Sequence, residues 1–436
     1  MPARRDPILV IQCAALGHDF LLRENAGDEI EGLRFRPVRS VFPAVTCAVQ
    51  ASFRTGEPPA GHGMVGNGFY SREFARAFFW EQSSALVGGP RIWDAFRASG
   101  GTVGVLFWQQ CLGADSDVLL SPAPIHKHHG GMIQDCFSRP AGLYGELVKK
   151  VGRPFNLAHY WGPRASVKAS SWIVEATVEV MRAPAPDLLL TYLPHLDYEL
   201  QRSGPDSKSA ARTFGELKAL LGRLLSSARE RGYKVIVFGD YPIVPVERAV
   251  HPNRALLEAG LMSVRDIRGM AYPDLYTSRA FAVVDHQIAH VILRDEGDAA
   301  EVTGVLGKLP GVARVLDADG KRELRIEHPR SGDLVLVAVP DAWFAYPWWR
   351  DRKSAPDYAT HVDIHNKPGY DPCELFWGRW PLSVSTDASR IRGSHGLAAD
   401  DPTATWATDL DLGDDPGSIV GLSRALKRLL DEGGRA

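Results

Sequence analysis

The chain has few cysteines, no long apolar run and almost no net charge. Its five cysteines, Cys13, Cys47, Cys111, Cys136 and Cys373, are scattered over 436 residues. No Cys-x-x-Cys pair occurs, which excludes a zinc knuckle and a disulfide framework. No stretch of about 18 apolar residues is present, so no membrane span is expected. Fifty basic residues against 52 acidic ones leave a formal charge of -2. That balance speaks against a polybasic membrane binder and against a nucleic-acid polymer as partner. Internal repeats and low-complexity tracts are absent as well. The opening MPARRDPILVIQCAALGHDF has only the outline of a leader, because Gln12 breaks its apolar run and His18-Asp19 follow at once. Ile8–Cys13 reads instead as a buried strand, and the expected location is cytoplasmic.

What is present is an ordinary globular composition, 45% hydrophobic and 23% charged, with 14 histidines. Short apolar runs at Ile8–Cys13, Val103–Trp108, Asp187–Tyr192 and Lys234–Gly239 read as buried parallel strands. Between them, Ser207–Arg231 carries Leu217, Leu220, Leu221, Leu224 and Leu225 on one helical stripe. Strands alternating with helices predict a three-layer α/β sandwich with a mostly parallel central sheet. Chemistry in such sheets gathers at the carboxyl ends of strands, which draws attention to Asp197 and Asp240. From about Val284 to Asp341 the pattern changes: strands at His290–Arg294, Val312–Leu316, Glu323–Ile326 and Leu334–Val339, with a helix at Glu301–Lys308. The expected division is a core over 1–283, a small α+β cap insertion over 284–345, and a return to the core over 346–436. Tyr346–Asp371 reads as a long ordered loop whose Trp348 and Trp349 shape a ligand pocket. Gly433–Ala436 reads as a frayed tail.

Four segments carry chemistry. In Val41–Phe69, VFPAVTCAVQASFRTGEPPAGHGMVGNGF, Thr46 stands where a helix begins. A hydroxyl there sits in a field that favours an incoming phosphate, although a threonine at that place also serves as a simple helix cap. Asn67 ends the string Pro-x-x-His-Gly-x-x-x-Asn, and its amide is suited to a phosphoryl oxygen. TYLPHLDYELQRSGPD holds Asp197 and Gln201, VFGDYPIVPV holds Asp240 and Tyr241, and RGSHGL holds His395. Cys47, beside Thr46, reads as packing.

In this order the segments resemble the alkaline phosphatase superfamily, in its type I phosphodiesterase/nucleotide pyrophosphatase branch. The resemblance implies a phosphoester hydrolase acting on a small phosphorylated substrate, with a phosphodiester or pyrophosphate bond cleaved through a phospho-threonine at Thr46. Asn67 is then the phosphate-binding amide. The resemblance implies a divalent metal, zinc in the family, on Asp197, Asp240 and His395, with Gln201 a weak ligand where the family has histidine. Tyr241 stands in place of a second histidine, and Ala14 in place of the aspartate that normally ends the first strand. Zinc sites need anionic or imidazole ligands, so these departures bear on one ion or two. The strings DHQIAH and DIHNKPGYDP suggest a subgroup with these altered ligands, and make His286, His290, Asp363 and His365 candidates as substrate contacts or replacement ligands. The His126–Gly131 run reads as solvated or substrate-facing. Two alternatives stand beside hydrolysis: a non-hydrolytic phosphoryl-transfer enzyme, and a phosphate-ligand binding protein on the same scaffold.

Overall fold

A computed structural model describes residues 6–129, 131–380, 382–397 and 403–432. The Gly433–Ala436 tail and Gly130 of the His-rich run lie outside them. Eight strands form the central sheet: β1 (Ile8–Cys13), β2 (Arg36–Val38), β3 (Val103–Leu106), β4 (Val118–Pro122), β5 (Cys136–Arg139), β6 (Leu188–Leu193), β7 (Lys234–Gly239) and one further strand over Ala404–Thr408. Strands β4, β3, β6, β1 and β7 run parallel, in that order, and the edge pairings are antiparallel. Strands β1 and β6 are buried along their whole length, which is why ILVIQC and LLLTYL are almost continuously apolar. Strand β3 stops at Leu106, short of the expected Trp108, because Phe107 turns into the left-handed region at φ 62°.

Helices cover both faces of the sheet. On one lies α1 (Thr46–Thr55), backed by the C-terminal helix Ile419–Asp431; on the other lie α2 (Val167–Arg182), α3 (His195–Ser203) and α4 (Lys208–Glu230). Helix α4 is capped by Ser207, whose hydroxyl accepts from the Ala210 N–H, and buries the predicted leucine stripe. Helix α1 is buried throughout and ends at Gly56, whose φ of 71° closes a left-handed cap. Among the described residues no helix is long and apolar enough to cross a membrane.

A second sheet of four antiparallel strands comprises β8 (Ala280–Asp285), β9 (Ile288–Leu293), β10 (Val312–Leu316) and β11 (Leu334–Ala338), in the order β8-β9-β11-β10. Glu323–Ile326, expected as a strand, instead closes a short helix over Ala318–Glu323, which Asp317 caps through the Gly320 N–H. Trp348 and Trp349 correct another expectation. Both are buried in the apolar cluster behind this sheet, in edge-on contact with each other and with Tyr346, and neither reaches the ligand cavity described below.

Candidate active site

Strands β1, β6 and β7 end level with one another at Cys13, Leu193 and Gly239. The segments that leave these ends meet above the sheet. One carries Asp197 on α3, one carries Asp240-Tyr241, and α1 presents Thr46, its first residue, against them. Gly239 is required there: a Cβ would lie 2.0 Å from the Leu16 carbonyl oxygen.

A buried chain of hydrogen bonds joins the site. Thr46 Oγ1 and Tyr241 Oη are 2.9 Å apart. Tyr241 Oη donates to Asp197 Oδ1 at 3.3 Å, and Gln201 Nε2 donates to Asp197 Oδ2 at 2.6 Å. Asp197 and Gln201, four residues apart, share one face of α3. Tyr370 Oη then donates to Gln201 Oε1 at 2.9 Å. Burial pushes the Asp197 carboxyl up to about 7, against the hydrogen bonds from Gln201 and Tyr241. Burial also raises both tyrosine hydroxyls, which therefore stay neutral donors.

His395 completes this group. Its ring stacks on Tyr241 with centroids 3.6 Å apart, and His286 lies against both His395 (3.7 Å) and Tyr370 (3.9 Å). His395 Nδ1 donates to the Ala44 carbonyl at 2.7 Å, which leaves a lone pair on Nε2. That Nε2 is buried, has no hydrogen-bond partner, and lies 3.7 Å from Asp197 Oδ1. Burial holds the ring neutral, down to about 3. Gly396 follows with φ 124°, a value that suits glycine and turns the chain past Gln287. His286 itself sits at φ 60° in the turn between β8 and β9, so it and His290 share neither a helix nor a direction. Such strain in a non-glycine residue is common at functional sites.

The other candidates are held differently. Asn67 is tied to Asp285 twice, through its backbone N–H (2.7 Å) and its Nδ2 (3.0 Å), while its Oδ1 accepts from the Cys47 N–H at the start of α1. It thus caps the helix that bears Thr46. Asp240 turns away from Thr46: its carboxylate accepts from the Ala15 and Tyr241 N–H groups and from Gln12 Nε2. His290 has both ring nitrogens engaged, Nε2 with the Val65 carbonyl and Nδ1 with the Gly332 N–H. Asp363 holds the Asn366 backbone and amide, and His365 lies near His126 on the cavity wall. Burial pushes the Cys47 thiol up to about 12, so it stays protonated. Tyr370 and Asp285 are members of the site that sequence reasoning did not single out, although both lie in strings marked for their histidines.

The donor set decides what metal the site fits. The position at Asp240 does not fit one, because its carboxylate is occupied by three donors, Ala14 offers no ligand and the Tyr241 side chain beside it is a neutral phenol stacked on His395. Among the described residues no three of His, Cys, Asp and Glu converge as an ion site. Two do converge, Asp197 and His395, and the orphaned lone pair of His395 Nε2 beside a carboxylate oxygen is the donor pair open to one ion. Gln201, expected as a weak ligand, turns its amide nitrogen to Asp197 and its oxygen to Tyr370 and so offers no third donor.

Above Thr46, Asp197, Tyr241, His286 and Tyr370 opens a cavity of about 990 Å³. A mixed sheet between two layers of helices is the alkaline phosphatase-like fold. The chain belongs to the type I phosphodiesterase / nucleotide pyrophosphatase family, whose model matches residues 22–371. This is a family of phosphodiesterase- and pyrophosphatase-like hydrolases. Among solved structures, phosphonoacetate hydrolase from Sinorhizobium meliloti 1021, in complex with phosphonoformate, superposes with a TM-score of 0.62 at 17% identity, covering 98% of this chain and 96% of that one. Murine ectonucleotide pyrophosphatase / phosphodiesterase 5 gives 0.59 at 16% identity, covering 98% and 95%. An inactive threonine-to-alanine variant of that murine protein, in complex with AMP, gives 0.59 at 15% identity with the same coverage. No curated protein sequence matches the chain.

Proposed function

We propose that the protein hydrolyses a phosphoester of a small substrate through Thr46, with one divalent ion, of zinc's class, at Asp197 and His395. The observation that carries this reading is the position of the Thr46 hydroxyl: first residue of a buried helix, at the floor of the cavity, bonded to Tyr241 and through it to Asp197. The N-terminal peptide N–H groups of α1 attract the phosphoryl oxygens. Asn67 fixes that helix start from outside and keeps Thr46 aimed at the cavity. Thr46 Oγ1 attacks phosphorus while its proton passes to Tyr241 Oη, which hands its own to Asp197. The P–O ester bond breaks, and the departing oxygen takes a proton from water to leave as the alcohol. Water then cleaves the phospho-threonine and restores the hydroxyl. When bound, the ion would supply positive charge against phosphoryl oxygen, and Asp197 and His395 are the residues that would hold it, with Gln201 fixing the Asp197 carboxylate. The threonine whose replacement inactivates the murine relative supports the same role for Thr46.

The test is hydrolysis of bis(4-nitrophenyl) phosphate by the zinc- or manganese-loaded protein. Thr46→Ala is expected to lower kcat at least about a thousandfold. Activity that survives the change overturns the nucleophile assignment. The closed Asp240 position also favours a second reading, a phosphate-ligand binding protein without turnover. No hydrolysis across a panel of phosphoesters, with a phosphonate still bound, would select it.

A further inference from the structure

The proposed chemistry uses only the floor of the cavity. Its walls rise through Trp80, Phe107, Leu112, Leu157, Trp161 and Ile364. Its rim carries apolar side chains in the open: Ile125 is 57% exposed, Val362 47% and Leu382 85%. A cluster of exposed apolar groups around a pocket marks a place where something apolar docks. Several amide side chains on the wall are committed to the protein. Gln82 Nε2 donates to Gln109 Oε1 at 2.6 Å, Gln109 Nε2 donates to Tyr160 Oη at 3.2 Å, Gln134 Oε1 accepts from the Leu157 N–H, and Asn366 Nδ2 donates to Asp363. The amides nearest the floor, Gln82 and Gln109, are thus taken up by the wall itself, and the polar groups left open, Glu81, His126, Arg164 and His365, are set among the apolar side chains. Among the described residues Arg164 is the one Lys or Arg on the wall, which is a poor match for a chain of phosphates. The volume, about 990 Å³, stands at the upper end of the roughly 300–1,000 Å³ common for small-molecule pockets, so the occupant is large.

We infer that the substrate is a phosphoester whose alcohol part is a long apolar chain, the phosphate resting on Thr46 and the chain lying along this wall and out over the rim. The inference rests on the phosphoester-hydrolase reading and sharpens it. It is tested with alkyl 4-nitrophenyl phosphates whose alkyl arm runs from methyl to decyl, kept below their micelle concentrations, beside the thymidine 5′ ester. Each methylene that reaches the wall raises kcat/KM about threefold to fourfold, the equivalent of about 0.8 kcal/mol, until the wall is covered. The decyl ester is therefore expected at least about a hundredfold above the methyl ester, and above the thymidine ester. Equal kcat/KM for methyl and decyl, or preference for the thymidine ester, overturns the inference while leaving the hydrolase reading intact. The same comparison made as binding, decylphosphonate against methylphosphonate by titration calorimetry, does not depend on turnover. Equal affinities there overturn the inference. A large preference for decylphosphonate without any hydrolysis supports the apolar site and overturns the hydrolase reading instead. Ile125→Asp with Val362→Asp compresses the decyl-to-methyl ratio; an unchanged ratio means the chain does not lie on this rim and overturns the inference.

Discussion

Tyr241 follows Asp240 directly and lies within hydrogen-bond distance of the nucleophile candidate Thr46, at 2.9 Å. A neutral phenol there orients the threonine hydroxyl and relays its proton onward to Asp197, but brings no positive charge. Tyr241→Phe keeps the ring that stacks on His395 and removes only the hydroxyl. It is expected to lower kcat about a hundredfold with KM little changed, as read by steady-state kinetics. The ion count follows from the same residues. Elemental analysis after dialysis against zinc is expected to give one ion per chain, to lose it in Asp197→Asn and His395→Ala, and to keep it in Asp240→Asn. Two ions in the parent protein would contradict the closed Asp240 position, whose carboxylate already takes hydrogen bonds from Ala15, Tyr241 and Gln12.

At the scale of elements, the segment over 363–374 is held to the rest of the fold by one buried cluster. Lys367 is almost fully buried and pairs with Asp371 at 2.8 Å and Glu374 at 2.6 Å, while Trp161 Nε1 also donates to Glu374. The cluster fixes both Tyr370 in the site and Trp161 on the cavity wall. Lys367→Met leaves two carboxylates buried without their cation and is expected to cost about 3–5 kcal/mol in denaturant unfolding. Strand β9 is fastened to the core by His290, which burial holds neutral, down to about 4. Below pH about 6.5 the unfolded chain takes up a proton at this ring and the folded protein does not. Its contribution to stability therefore falls as pH falls, by about 1.4 kcal/mol per unit between about pH 6.5 and 4. Unfolding of the parent and of His290→Asn at pH 7 and pH 5 checks this: the stability difference between them is expected to shrink on acidification, and a constant difference would refute the assignment.

For the molecule as a whole, what was legible in the sequence follows the range of the interactions. Strands β1 and β7 fall on their predicted residues because a strand buried on both faces is written as a continuous apolar run. Thr46, Asp197 and Gln201 were singled out by the order of their strings and the resemblance these carry, and the structure brings the three together. Tyr370 and Asp285 were not, because their partners are set by the tertiary fold: Tyr370 meets Gln201 across 169 positions and Asp285 meets Asn67 across 218. The inward turn of Asp240 was hidden for the same reason, since Gln12 lies 228 positions away. The Trp348-Trp349 pair shows the limit of composition, for an aromatic-rich loop packs a core as readily as it lines a pocket. All of this converges on one claim, that a threonine at the carboxyl edge of the sheet carries the phosphoryl group. The most direct measurement is mass spectrometry of the metal-loaded protein, quenched in acid during turnover of a 4-nitrophenyl phosphoester. The account predicts a phosphoryl adduct on the peptide containing Thr46, absent from Thr46→Ala. Turnover with the adduct on another residue, or undiminished turnover by Thr46→Ala, would contradict it.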